Sequence, residues 1–322
     1  MNITKQINNS DIPVLAYPKM LSSLSGYVDH GYIVEDGLIL PFVEVRKAKI
    51  CKYIELPVPT VGSCSVDEEQ LFLDKALKYI YEVKRPDFII SLNTSPMRVY
   101  PRGSFFCKFG SYVLDLSKSE DELFSGIHSK HRNVIRKAEK DGLTVDCDHR
   151  YIDDCLRIIK NTYSRQGKSS SSEGYYRNIT RLGRQTEFWV VKKREEIQGC
   201  AILLWDNNAS YYMHGGSIEH PSTGALNYLH WRAILSMKTR GVKYYDFVGA
   251  RINVEEGSKL EGIQRFKSRF GGELQVGYRW RLVFNKSKYA IYYFMLWIRT
   301  RIFNRDSSPI DIIKYERLRG NY

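Results

Sequence analysis

The sequence predicts a mixed α/β protein built from two halves of similar organisation. In each half, segments with the apolar spacing of helices alternate with short β-rich segments. The chain has 322 residues, of which 43% are hydrophobic and 26% charged, so it is long enough for one large core or two ordinary ones. We expect two domains, over residues 1–147 and 148–285, followed by a basic and aromatic helical tail over 286–322.

Both halves divide into elements by their periodicity and turn residues. The first half is predicted to contain a hairpin (31–47), a strand (51–59), a helix (67–83), two strands (87–93 and 111–117) and a long helix (120–141). The second half is predicted to contain two helices (151–167 and 173–183), three strands (187–194, 196–206 and 209–219), a helix (224–241), a strand (243–250), a helix (262–272) and a last strand (274–285). This order indicates mixed sheets.

The chain is strongly basic. Its net charge of +13 and pI near 9.3 indicate an anionic partner: nucleic acid, a phosphorylated small molecule or an acidic membrane face. Its six cysteines are scattered, with no CxxC and no histidine pair at ligand spacing, so we expect neither a disulfide framework nor a metal site. The N-terminus has no apolar signal core, and no run reaches the roughly 18 apolar residues of a membrane span. We therefore expect a cytoplasmic protein.

Two predicted helices carry closely spaced cations. In the helix over 120–141, with Ser119 as N-cap, three cations share one face at spacings of four: Arg132, Arg136 and Lys140, with Lys130 beside them. In the block GIQRFKSRFGG, helical spacing places Ile263, Phe266 and Phe270 on one side and Arg265, Lys267 and Arg269 on the other. Either face could bind an anion or could simply be solvated.

The stretch HPSTGALNY, His220 to Tyr228, begins another predicted helix. Ser222 or Thr223 can act as the N-cap, and the small residues after them leave the first turn of the helix open. A helix N-terminus presents free N–H groups to an anion, and Asn227 and Tyr228 lie in its first turn. An ordinary cap is the alternative interpretation.

Two strands carry candidate catalytic side chains. In ASYYMHGGSIE, alternation places Tyr212 and His214 on one face, and His214 could take part in proton transfer or could simply be packed. The two glycines weaken a strand unless something approaches closely or a bulge is required. Asp246 lies among strand-forming aromatics, where an unpaired carboxylate is costly to bury. We expect it to face a cation of the RFKSRF block or a substrate amine.

Three segments, taken in order, carry a family resemblance: residues 112–145, residues 211–250 with YYMHGGSIEHPSTGALNY and YYDFVGA, and GIQRFKSRFGG. Together they resemble the Fem family of peptidoglycan-bridge aminoacyltransferases and the broader acetyltransferase-like (GNAT) proteins grouped with them. The likeness extends over about residues 27–285. Motifs of nucleotide-binding P-loops, dinucleotide sites, serine hydrolases and zinc proteases are absent from the sequence.

The resemblance implies tandem GNAT domains and transfer of an amino acid from aminoacyl-tRNA to an amine of an anionic cell-wall precursor, nucleotide- or lipid-linked. The amine attacks an activated ester directly, so the enzyme mainly positions the reactants and removes a proton, with no tightly bound cofactor. The helices that usually open the first domain and the hairpin associated with tRNA contact are missing, so we expect a trimmed first domain. HPSTGALNY lacks the pyrophosphate loop of ordinary acetyltransferases, and the donor stays open between aminoacyl-tRNA and acyl-CoA.

The matching positions supply the candidate site. The family's basic helix corresponds to Lys130, Arg132 and Arg136; its strand motif to Asp246, Phe247 and Gly249; and its late basic helix to Phe266, Lys267, Phe270 and Gly271. With the residues singled out above, the expected catalytic residues are Asp246 and His214. The expected substrate-binding residues are Lys130, Arg132, Arg136, Tyr212, Asn227, Tyr228, Lys267 and Arg269.

Two other functions compete with the Fem-like one: an acyl-CoA-dependent N-acyltransferase of an amino sugar or another small amine, and a non-catalytic binding protein with the same fold. The tail adds a separate hypothesis. Ala290 to Ile298 is apolar almost all round, and the cations that flank it are Lys286, Lys288, Arg299, Arg301 and Arg305. It is too short to span a bilayer, but it suits either contact with an anionic membrane surface or packing against the domains.

Overall fold

Twelve strands and ten α-helices form the part of the chain that the structure, a computed structural model, describes: residues 1–47, 50–92, 94–303 and 309–322. The strands are β1 (Asn2–Thr4), β2 (Tyr27–Glu35), β3 (Leu38–Lys47), β4 (Cys51–Leu56), β5 (Phe88–Ser91), β6 (Phe105–Asp115), β7 (Leu143–Cys147), β8 (Thr186–Lys193), β9 (Glu196–Trp205), β10 (Ala209–Ser217), β11 (Tyr244–Asp246) and β12 (Glu273–Val283). The helices are α1 (Pro18–Leu21), α2 (Val66–Lys84), α3 (Glu120–Gly126), α4 (Ser129–Lys140), α5 (Ile152–Ser164), α6 (Glu173–Ile179), α7 (Ala225–Thr239), α8 (Lys259–Ser268), α9 (Lys286–Ile298) and α10 (Ile312–Leu318).

One compact unit comprises Met1–Ser111, Gly249–Val254 and Gln275–Tyr322. Its strands follow the order β1-β2-β3-β4-β5-β12, with the first part of β6 beyond β12. The predicted hairpin is the pair β2 and β3, and both turn residues, Asp36 and Gly37, have the positive φ that a tight hairpin turn requires. Strands β4 and β5 are parallel and joined through α2, which packs apolar side chains onto them around Trp280.

The other compact unit comprises Tyr112–Val248 and Glu255–Leu274. Its strands follow the order β11-β10-β9-β8-β7, with the last residues of β6 beside β11. Strands β7 to β10 are antiparallel, and β11 is parallel to β10. The core of this unit is formed by side chains from α3, α4, α7 and the strands, including Leu123, Ile135, Trp189, Leu229, Ile234, Phe247 and Phe270.

The compact units do not follow the predicted domain limits. The segment Tyr112–Cys147 belongs to the second unit, because β7 pairs with β8 and α4 packs on α7. The tail beyond residue 286 belongs to the first unit. The predicted division into domains over residues 1–147, 148–285 and 286–322 stays a prediction.

The helix predicted over 120–141 is in fact two helices. Ser119 caps α3 as expected, but Ile127 takes an extended conformation and His128 caps α4. The break is set by packing: the His128 N–H donates to the Arg269 carbonyl at 2.9 Å. A Cβ on Gly271, whose φ is +83°, would lie 2.8 Å from the Gly126 carbonyl oxygen. Strand β7, which the periodicity did not predict, follows directly after α4.

Candidate functional site

Strands β10 and β11 part in the second unit. They pair over three residues only, Ala209–Tyr211 with Tyr244–Asp246, although β10 continues to Ser217. On its other side β10 has a register shift against β9 between Tyr212 and His214. The strict alternation expected for this strand is therefore interrupted at Met213. Because β11 ends at Asp246, it does not pair with β10 beyond Tyr211, and a strand edge of this kind can pair with an extended ligand.

Close contacts with side chains of the same unit explain why residues 215 and 216 of β10 are glycines. A Cβ on Gly215 would overlap with the Tyr212 hydroxyl, and a Cβ on Gly216 would overlap with the Thr162 hydroxyl. Both a bulge and a close approach, the two reasons expected for glycine in this strand, are therefore present. The approaching atoms belong to the unit's own side chains.

His214 lies beside two tyrosines of α6. Its Nε2 is 3.3 Å from the Tyr175 hydroxyl, and its ring lies 5.0 Å from that of Tyr176. The buried Nδ1 has no hydrogen-bond partner among the described residues. Burial lowers the pKa of His214 to about 4, so the ring is neutral at pH 7 and one of its two nitrogens, set by the tautomer, can accept a hydrogen bond or a proton.

Asp246 and Lys267 hold the chain where it leaves β11. The Asp246 carboxylate accepts a hydrogen bond from the Val248 N–H at 2.7 Å, and Lys267 Nζ donates to the Val248 carbonyl. Val248 has a φ of 37°, a left-handed conformation that is unfavourable for a β-branched residue and requires such support. Burial lowers the pKa of Lys267 to about 8, and the charge of Asp246 opposes this shift. Asp246 thus interacts with a cation of the RFKSRF block, one of the two partners expected for it.

Helix α8 is oriented differently from the prediction. Lys267 was expected on a cationic face, but it is only 8% exposed and lies inside with Gln264. Arg265 is exposed and pairs with Glu261 at 3.0 Å. The reason is the helical spacing itself: Lys267 follows Ile263 by four residues, which places it on the apolar side of α8, so its predicted place on the cationic face was wrong. Arg269 is half-buried, and its charge contributes to lowering the pKa of His131.

A buried histidine that the sequence interpretation missed lies beside Lys267. His230 of α7 is fully buried; its Nδ1 is 2.9 Å from the Tyr245 hydroxyl, and its ring lies 4.4 Å from that of Tyr212. Burial, with smaller contributions from the charges of Lys267 and His131, lowers its pKa to about 3. Its Nε2 has no hydrogen-bond partner among the described residues. The one signal in the sequence was a histidine on the apolar face of a predicted helix.

The cations of α4 do not share one environment. Arg132 Nη1 donates to the Ser125 carbonyl at 2.7 Å and also to the Ile127 carbonyl, so this side chain satisfies the free carbonyls at the end of α3. The Arg136 guanidinium lies 5.1 Å from the centre of the Phe124 ring, and Lys130 is exposed. Their expected role in substrate binding stays a prediction.

The N-terminus of α7 is not capped by Ser222 or Thr223. The N-cap is Gly224, with a φ of +79° and no side-chain cap. Ser222 instead donates its N–H to Gln198 at 3.0 Å. Only glycine fits at this cap, since a Cβ on Gly224 would overlap with the Val134 carbonyl of α4. Tyr228 packs in the core, whereas the buried Nδ2 of Asn227 has no partner among the described residues.

The structure therefore brings part of the predicted site together. Tyr212, Asp246 and Lys267 lie around His230 and Val248, whereas His214 lies further along β10 with the tyrosines of α6. Within the described ranges, no cluster of three or more His, Cys, Asp or Glu could hold a metal ion. None of the helices in the described part of the chain is long and apolar enough to cross a membrane.

Comparison with known proteins agrees with this architecture. Residues 127–268 match the family model described as an acetyltransferase (GNAT) domain. The structure is similar to FemX, with a TM-score of 0.69 and 16% identity, over 90% of this chain and 99% of that one. It is also similar to the C-terminal domain (DUF2156) of a putative lysylphosphatidylglycerol synthetase from Agrobacterium fabrum, with a TM-score of 0.55 and 13% identity, over 84% and 89% of the two chains. Curated protein sequences contain no match to this chain.

These similarities confirm the predicted fold class, a mixed α/β arrangement with a GNAT domain. At identities of 16% and below, the likeness to the solved structures concerns the fold. The matched segment includes α4, β10, α7, β11 and α8, so it contains every residue of the candidate site except Arg269. The chain has a mixed α/β fold similar to that of FemX and contains an acetyltransferase (GNAT) domain at residues 127–268.

Proposed function

We propose that the protein transfers an aminoacyl or acyl group to an amine of an anionic envelope precursor, nucleotide- or lipid-linked. The observation that carries the proposal is the parting of β10 and β11 within the segment that matches the acetyltransferase domain. An extended donor can lie along the open edge of β10 with its carbonyl near His214. The net charge of +13 and the cations of α4 favour an anionic acceptor.

In the proposed reaction the acceptor nitrogen attacks the carbonyl carbon of an activated donor. A C–N bond forms while the C–S bond of acyl-CoA or the C–O bond of aminoacyl-tRNA breaks, and the amine proton passes to a base and then to the leaving group. No covalent enzyme intermediate is required. Both donors present an activated acyl carbonyl. The match to an acetyltransferase domain favours acyl-CoA, and the likeness to FemX keeps aminoacyl-tRNA as the second candidate.

The residues have different roles in this proposal. His214, neutral at pH 7 and with a free Nδ1, accepts the amine proton. Asp246 and Lys267 act as positioning residues, because they fix Val248 at the end of β11. Exposed Lys130 and Arg136 bind the anionic group of the acceptor. A nucleotide-linked or tRNA substrate places this reaction in the cytoplasm.

The test begins with mass spectrometry of ligands retained on the purified chain, followed by transfer assays. Acetyl-CoA and aminoacyl-tRNA are supplied in turn, with a UDP-linked peptidoglycan precursor or an amino sugar as acceptor. We expect transfer from one donor, and we expect His214→Gln to lower kcat by about a hundredfold or more while donor binding persists. His220→Gln, an exposed histidine after β10, is the matched control and should leave kcat unchanged.

Three results would change the proposal or overturn it. Binding of donor or precursor without turnover in any combination would favour a binding protein of this fold. Full activity of His214→Gln would remove this histidine from the proton transfer while leaving the transferase assignment intact. Transfer to an amino sugar but not to the precursor would identify a small-amine N-acyltransferase.

A further inference from the structure

Helix α9 is apolar on two sides, and only one of them is covered. On the covered side, the ring of Tyr292 lies 5.5 Å from that of Tyr53 and 5.4 Å from that of Phe88, on the sheet of the first unit. The Tyr289 ring lies 5.1 Å from that of Phe88. Although the helix is rich in large apolar residues, none of its thirteen residues is buried. Packing against the unit therefore leaves part of its apolar surface exposed.

The other side of α9 faces solvent. Ile291, Phe294 and Trp297, spaced three residues apart along one face of the helix, are 47%, 62% and 46% exposed. The rings of Phe294 and Trp297 are stacked, with centroids 6.3 Å apart. Ile302, in the π-helical turn that follows α9, is also exposed. Large exposed apolar side chains in one contiguous strip indicate an interaction surface.

Cations lie at both ends of this strip. Lys286 is exposed at the start, where Lys288 pairs with Asp87 at 3.2 Å, and Arg299 is exposed at the end. Arg299 also acts on Lys47: burial is the main cause of the lowered pKa of Lys47, the charge of Glu55 opposes this shift, and the charge of Arg299 adds to it. Like charges held together in this way repel each other, and an anionic partner would relieve the repulsion. Arg305, which the sequence also placed here, lies outside the described residues.

We propose that α9 docks the protein onto a membrane leaflet rich in anionic phospholipid. The helix would lie in the plane of the interface, with Phe294 and Trp297 inserted between lipids and Lys286 and Arg299 at the phosphates. Thirteen residues of helix span only about 20 Å, too short to cross a bilayer but suited to this orientation. A second copy of the chain is a poorer partner. Because both ends of α9 are cationic, parallel and antiparallel pairing both place cation against cation.

The test uses the full chain and sedimentation with two kinds of vesicle, phosphatidylcholine alone and phosphatidylcholine with phosphatidylglycerol. We expect binding to the anionic vesicles, with affinity that falls as salt rises. The fluorescence emission should shift to the blue, because Trp297 is exposed, whereas Trp205 is half-buried and Trp189, Trp231 and Trp280 are buried. The variant Phe294→Ser/Trp297→Ser should bind at least about tenfold more weakly.

The matched control is Val276→Ser/Leu318→Ser, which removes two exposed apolar residues of the same unit outside α9 and should bind like wild type. Circular dichroism and thermal unfolding establish that both variants are folded. Equal binding of wild type to neutral and anionic vesicles, or unchanged binding by the α9 variant, would overturn the proposal. Concentration-dependent dimerisation that the α9 variant abolishes would instead assign the surface to a second copy of the chain. The test does not measure transferase activity, so its outcome does not depend on the proposed function.

Discussion

Lys267 is the residue on which the interpretation of the sequence changed most. Its ammonium group is buried, and it donates to the carbonyl of a residue in a left-handed conformation. Because its pKa falls from 10.5 to about 8, the unfolded chain binds one proton more than the folded chain between these values. Wild-type stability should therefore rise with pH in this window, by up to about 1.4 kcal/mol per pH unit from this group. Lys267→Met should lack this slope.

The measurement is urea unfolding of both proteins at pH 8, 9 and 10. Loss of the hydrogen bond to Val248 adds a constant difference between them, so only the change with pH is informative. Lys140→Met, at an exposed position of α4, should keep the wild-type slope. Parallel pH profiles of wild type and Lys267→Met would show that Lys267 keeps an ordinary pKa.

At the scale of elements, the junction of α3 and α4 separates two arginines that the sequence placed on one face. Arg132 is bonded to the Ser125 and Ile127 carbonyls, whereas Arg136 is exposed over Phe124. Arg132→Gln should lower the free energy of unfolding by about 1–3 kcal/mol, because charged hydrogen bonds to carbonyls are lost. Arg136→Gln should change it by less than about 0.5 kcal/mol. Urea denaturation measures both.

Equal effects of the two substitutions on stability would contradict the assignment of Arg132 to the helix junction. Binding of a UDP-linked peptidoglycan precursor provides the second measurement. Since exposed Arg136 is free to meet an anion, Arg136→Gln should weaken binding more than it affects stability, by roughly tenfold. If both variants bind the precursor as tightly as wild type, the cations of α4 form a solvated surface and do not bind the substrate.

At the scale of the whole molecule, buried histidines make the second unit sensitive to acid. The pKa values of His131, His214 and His230 are lowered, mainly by burial, to about 4, 4 and 3. Their neutral folded forms contribute stability that is present above pH 6.5 and lost as the pH falls below it. In the first unit, burial raises the pKa of Glu55 to about 7, and this group stabilises the fold as the pH falls from 7 towards 4.5. The effect of Glu55 on stability is opposite in sign to that of His30, because burial lowers the pKa of His30.

Hydrogen exchange at pH 7.5 and 5.5, corrected for intrinsic rates, should show this difference. Amides of β8 to β10 should lose up to about 4 kcal/mol of protection at pH 5.5, at roughly 1.4 kcal/mol for each of three histidines. Amides of β2 to β4 should change much less. An equal loss of protection in both sets of strands would show that the chain opens as one cooperative unit and would contradict a response confined to the second.

The sequence by itself determined the α/β class, most of the elements and the resemblance to acetyltransferase-like (GNAT) proteins. It could do so because these depend on local spacing and on turn residues: the hairpin at Asp36 and Gly37, the cap at Ser119 and the apolar runs of β8 and β9 are all set within a few residues of chain. The separation of strand motif, basic helix and late helix along the chain then indicated the family.

Only the tertiary structure decided which way the polar side chains point. Arg132 was expected on an open face, but it closes the end of α3, and the Val248 carbonyl that accepts the hydrogen bond of buried Lys267 was not predicted. The same holds for the helix break at Ile127 and the glycine cap at Gly224, which depend on contacts with α8 and α4. A cation can be buried where a carbonyl from a distant part of the chain accepts its hydrogen bond. A helix ends where a neighbouring element would otherwise overlap with it. Such partners are far away in sequence, so local spacing does not predict these contacts.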